Sequence, residues 1–106
     1  MAFVRKKVKT FKWPVKVEEP ADGGVYEVST FDVIFKRVAA SELKQDNGDY
    51  EVLSQIVCGW EGIEDESGKP IAFSQKTLKE LSDDACWVRG MTNAYLDALA
   101  GAKEGN

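Results

Sequence analysis

Between residues 11 and 37 the chain alternates apolar and polar side chains. In F-K-W-P-V-K-V-E-E (11–19), Val15 and Val17 alternate with Lys16 and Glu18, the period of two expected for a half-exposed strand. Pro14 has no N–H to offer a ladder, so this strand should start there or lie at a sheet edge. The run P-A-D-G-G (20–24) is a strong turn signal. The following V-Y-E-V-S-T-F-D-V-I-F-K-R (25–37) is rich in β-branched and aromatic residues, with Phe31, Val33 and Phe35 on one face and Asp32 and Lys36 on the other. A β-hairpin over 11–37 is the prediction.

From Ala39 the pattern changes. A-A-S-E-L-K-Q (39–45) is a candidate short helix ended by D-N-G-D. A second helix is predicted from about Asp49 to Cys58, because Leu53, Ile56, Val57 and Trp60 fall at i, i+3, i+4, i+7. Gly59 is placed to terminate it. Ser74 is a good N-cap for a third helix over about 75–81, with Phe73 and Leu78 spaced as a hydrophobic staple. Ser82 or Asp83 could cap a fourth, spanning about 84–102, with Asp83 and Asp84 near its positive end. On that last helix Trp87, Met91, Ala94, Tyr95 and Ala98 form one stripe, widened by Val88, Leu96 and Leu99. The predicted fold is α+β: an N-terminal β-hairpin followed by a small bundle of about four α-helices. Residues 1–10 read as a flexible basic arm and 11–106 as a single domain, with the hairpin over 11–37 and the helical part over 39–102.

Composition narrows the classes. A chain of 106 residues, 43% hydrophobic and 30% charged, supports one domain with one modest core. No apolar run approaches the roughly 18–20 residues of a membrane-spanning helix, and the basic N-terminus lacks the apolar stretch of a signal peptide. Cytoplasm is therefore the expected compartment. Cys58 and Cys86 form no CxxC pair and sit among apolar neighbours, which reads as buried free thiols. Net charge is −4, unevenly spread. Residues 1–16 hold Arg5, Lys6, Lys7, Lys9, Lys12 and Lys16 and no acid, while all 18 acidic side chains follow. A basic arm on an acidic body could meet nucleic acid, an acidic partner or a second copy of the body. It is equally what a solvated terminus looks like.

Catalytic equipment is hard to find. Histidine is absent, which removes the commonest general base and zinc ligand. The acidic run Glu61, Glu64, Asp65, Glu66 fails calcium-loop spacing: with Gly68 as the sixth loop residue, Ile63 would be the first and Ser74 the twelfth. A solvated acidic turn remains. Asp83 and Asp84 read as capping residues rather than an acid–base pair. A helix–turn–helix is disfavoured because the last helix offers only Arg89 and Asn93, with Lys103 beyond, against acids that repel phosphate. No enzyme, metal or cofactor is expected, and nucleic acid is not an expected partner. The wide apolar face of the last helix, Trp87, Val88, Met91, Tyr95, Leu96 and Leu99, is the expected partner-binding surface. The basic residues Arg5, Lys6, Lys7, Lys9 and Lys12 are a second candidate.

The order F-K-W-P-V, then D-G-G, then F-D-V-I-F-K-R resembles the N-terminal half of tail assembly chaperones from long-tailed bacteriophages. V-C-G-W-E-G-I-E-D-E-S-G-K-P-I-A-F-S-Q-K-T-L-K-E-L and V-R-G-M-T-N-A-Y-L-D-A-L-A-G-A-K-E-G-N resemble that family's later run and closing helix. The likeness spans nearly the whole chain and contains no catalytic motif. It implies a largely helical, self-associating protein of the bacterial host cytoplasm that is not in the mature virion. Its implied partners are the tape measure protein, which it keeps soluble, and the tail tube protein, which it helps recruit. The rivals from other classes are a small nucleic-acid-associated regulator using the basic arm, and a structural tail or head-joining protein of the virion.

Overall fold

A computed structural model describes residues 2–3, 9–38 and 49–100. The chain runs β1 (Thr10–Ala21), β2 (Val25–Lys36), α1 (Asp49–Ile56), β3 (Val57–Glu61), α2 (Gln75–Leu81) and α3 (Ala85–Ala100). The strands form one antiparallel sheet in the order β1-β2-β3, and the helices lie on one of its faces. The class is α+β, as the sequence predicts, but the hairpin-plus-four-helix architecture is not what forms. The sheet has a third strand, and three helices stand among the described residues. The helix expected over 39–45 lies outside them.

The hairpin follows its alternation closely. β1 and β2 pair without a break from Thr10↔Lys36 to Ala21↔Val25. Asp22, Gly23 and Gly24 close the turn, with φ of 88° at Gly23 and 76° at Gly24, values that glycine adopts without a Cβ penalty. Odd-numbered residues of both strands face the helices: Val15, Val17, Val33 and Phe35 are buried. β1 is an edge strand, as Pro14 requires. Arg37 N–H donates to the Lys9 carbonyl at 3.0 Å. By the alternation of an antiparallel ladder, this places Pro14 and Pro20 where their nitrogens face away from β2.

The main departure is at residues 56–61. Instead of continuing to Cys58, α1 stops at Ile56 and the chain enters β3 directly. The pairs Ile34↔Gly59 and Phe35↔Val57 skip Cys58, which makes it the extra residue of a β-bulge. That bulge puts Val57 and Trp60 on the same buried face although they are three residues apart. Three-residue spacing is the helical signature, so the bulge imitates a helix in the sequence. It also leaves Cys58 exposed; Cys86, on the last helix, is half-buried, so the two are not both the buried thiols expected.

The two later helices start from local hydrogen bonds. Ser74 caps α2, accepting from Thr77 N–H at 3.1 Å, while the Thr77 hydroxyl accepts from Ser74 N–H at 2.9 Å. For α3 the cap is Asp84 rather than Ser82 or Asp83: its carboxylate accepts from the N–H groups of Cys86 (2.9 Å) and Trp87 (3.3 Å). No helix among the described residues is long and apolar enough to cross a membrane.

α3 lies across β1, and Gly90 is where they come closest. A Cβ at residue 90 would stand 2.6 Å from the Lys16 carbonyl oxygen and 2.9 Å from Val17 Cγ2. Ala is the better helix former by about 1 kcal/mol, yet here it must push the helix off the sheet. Gly90→Ala is therefore expected to destabilise the protein by roughly 1–3 kcal/mol, read as a lower urea midpoint with an unchanged slope.

Candidate functional site

The last helix carries two different surfaces. Trp87, Met91, Ala94 and Tyr95 face the sheet and are buried in the core. Trp87 stacks on Phe31 at 6.4 Å and meets Trp60 edge-on at 5.9 Å, while Tyr95 packs against Phe35 at 5.2 Å. The Tyr95 hydroxyl also donates to the Lys36 carbonyl at 3.2 Å and accepts from Val38 N–H at 3.4 Å. Half of the expected partner-binding set, Trp87, Met91 and Tyr95, is thus spent on this chain's own interior. Trp87 Nε1 is buried with no hydrogen-bond partner among the described residues.

The other half of that set has a different fate. Val88 is half-buried, and Leu96 and Leu99 are 59% and 47% exposed. Val88, Thr92 and Leu96 form one wall of a groove whose other wall is α1, through Val52, Leu53 and Ile56. Asp49 and Tyr95 complete the lining of this cavity of about 230 Å³. Leu99 lies one turn beyond Leu96 and extends the apolar stripe along α3. The α1 wall was not legible as part of a binding surface. Leu53 and Ile56 read as part of a core stripe and Val52 was not singled out; only the placement of α1 against α3 brings all three to the groove.

Of the basic set, only Lys9 and Lys12 fall among the described residues. Arg5, Lys6 and Lys7 lie outside the described residues. Lys9 Nζ sits 4.3 Å from the centre of the Phe3 ring, a cation–π contact. Lys12 belongs to β1 rather than to an arm and pairs with Glu61 at 2.9 Å. The hydrogen bond to Glu61, and then its charge, hold the Lys12 ammonium above its ordinary range. Stability from that contact is present below the usual lysine range and is lost as pH rises through the raised value.

The acidic connector folds on itself. Asp65 accepts from the Ser67 hydroxyl (2.7 Å), Ser67 N–H (2.9 Å) and Lys69 N–H (3.1 Å). Ser67 first, and the Lys69 backbone second, lower the Asp65 carboxyl below its ordinary range. Ile71 N–H donates to the Ile63 carbonyl at 2.8 Å, and Trp60 Nε1 donates to the Ile71 carbonyl at 2.7 Å. Phe73 meets the Trp60 ring edge-on at 5.0 Å. The connector is thus pinned to β3 at both ends, and its central carboxylate is committed to its own backbone.

Two outcomes test this geometry. Trp60→Phe keeps a ring in the core but orphans the Ile71 carbonyl, with an expected cost of about 1–3 kcal/mol in urea unfolding. In an NMR titration the Asp65 carboxyl should titrate below the ordinary aspartate range, and Ser67→Ala should move its midpoint up. The loop's stability is present above the ordinary aspartate range and lost as pH falls through the depressed value. Against known proteins, no family model, no curated protein and no solved structure matches this chain.

Proposed function

We propose that this protein is a non-catalytic tail assembly chaperone of a long-tailed bacteriophage, acting in the host cytoplasm and leaving before the virion matures. Its client is the tape measure protein, a very long helical chain that must stay soluble until tail tube subunits surround it. The observation that carries the reading is the apolar groove between α1 and α3, continued by Leu96 and Leu99. Such a groove suits an amphipathic helix laid with its apolar face inward. Covering apolar area contributes about 25 cal/mol per Å², so many short contacts along a long client can hold it in solution by mass action. The sequence resemblance, spread over nearly the whole chain, points the same way. Asp49 at the groove and the excess of acid after residue 16 would favour clients with basic residues flanking the apolar stripe.

The regulator reading has less to stand on, because Lys12 is engaged by Glu61 and Lys9 by Phe3. The test is co-expression with a tape measure protein, scored for soluble client and co-purification. The expected outcome is a clear gain in both. Leu96→Glu combined with Leu99→Glu should lower client affinity at least about tenfold, the effect of losing roughly 1.4 kcal/mol. Both side chains are exposed, so the fold should be untouched by circular dichroism. No gain in client solubility and no co-purification would sink the proposal.

A further inference from the structure

The three-stranded sheet has two edges, and they are not equally protected. Along β1, Pro14 and Pro20 remove the N–H groups that would face outward, Lys12 and Lys16 interrupt the row with charge, and Gly90 of α3 sits against the Lys16 carbonyl. These are the devices by which soluble proteins close a strand edge. On the other side, β3 covers β2 only from Asp32 to Phe35, and Gly62 then approaches Phe31. From Tyr26 to Thr30 this side of β2 has no strand beside it among the described residues, and the stretch holds no proline and no lysine.

Ladder alternation identifies what this stretch presents. The odd residues of β2 bond to β1, following the Arg37–Lys9 contact, so the N–H and C=O groups of Tyr26, Val28 and Thr30 face the open side. Tyr26 and Val28 are also 64% and 54% exposed, on the sheet face away from the helices.

We infer that residues 26–30 pair antiparallel with the same residues of a second copy, about a twofold axis at Val28, to make a continuous sheet across two molecules. This rests on the strand edge alone and not on the chaperone reading. The segment is self-complementary in that register: Val28 meets Val28 of the second copy, Tyr26 meets Thr30, and Glu27 meets Ser29. The outward-facing backbone groups of Tyr26, Val28 and Thr30 then meet their counterparts and close about six hydrogen bonds. Moving the axis by one residue, to Glu27 or to Ser29, places glutamate against glutamate or brings the partner's turn nearer to Gly62. A like-charge pair directly opposite is destabilising, so charge selects Val28 over Glu27 and the end of β3 selects it over Ser29; pairing stops at Tyr26, because Gly62 already stands against Phe31. The contact is short, so the dimer should be weak and concentration-dependent, with a dissociation constant on the order of micromolar.

The test is sedimentation velocity over a wide concentration series with the full chain, alongside amide exchange by NMR. The wild-type protein should dimerise, with the amides of Tyr26, Val28 and Thr30 gaining protection as concentration rises. Val28→Lys and Ser29→Glu should each weaken the dimer by roughly tenfold or more, and Ser29→Lys, placed across from Glu27, should tighten it. Both positions are exposed, so circular dichroism should show intact folds. A wild-type protein that stays monomeric overturns the inference. So does a dimer indifferent to Val28→Lys and Ser29→Glu, or one in which these three amides stay unprotected. A dimer lost on Leu96→Glu but not on Val28→Lys would place the contact on α3 instead and would also overturn it.

Discussion

The close approach of Gly90 to the Lys16 carbonyl is the constraint on which the rest of this structure hangs. With no side chain at residue 90, α3 can settle onto β1 at backbone distance. That seating drives Trp87, Met91 and Tyr95 into the sheet face, where they meet Phe31, Trp60 and Phe35. It also turns Val88, Thr92 and Leu96 toward α1, which makes the groove. One missing methyl group therefore sets both what α3 buries and what it leaves available.

The second organising element is Trp60. It lies on a bulged strand, donates a hydrogen bond to Ile71 and sits between Phe73 and Trp87. Through it the acidic connector, the start of α2 and the first turn of α3 share one aromatic cluster. The connector's acids remain at the surface, and Asp65 is used to shape the loop. Chemistry that looks like a site in one dimension is consumed as architecture in three.

Surfaces suited to association are of two kinds and lie apart. The groove between α1 and α3 offers apolar side chains, while the overhang of β2 offers backbone hydrogen-bonding groups and an exposed Tyr26–Val28 pair. The first suits a helix and the second a strand, so a client and a second copy need not compete for the same face. In the proposed chaperone role, a molecule that uses both at once would line up copies along an extended client, and many weak contacts would then add by effective concentration.

Much of the hairpin was legible in the chain alone. Period-two alternation over 11–37, Pro14 at an edge and D-G-G at the turn are local signals, read by the backbone within a few residues. The starts of α2 and α3 were equally local, although Asp84 rather than its neighbours supplies the second cap. What could not be read was long-range. Val57 and Trp60 have helical spacing, and only pairing with β2 across a bulge makes them a strand. Whether a broad apolar helix is core or binding surface depends on which neighbours cover it. For Trp87, Met91 and Tyr95 the sheet does so, whereas Leu96 and Leu99 are left uncovered. Periodicity records that a side chain is apolar and which way it points along its own element. Its burial depends on partners brought from elsewhere in the chain, so the groove exists only because α3 rests on β1 through Gly90.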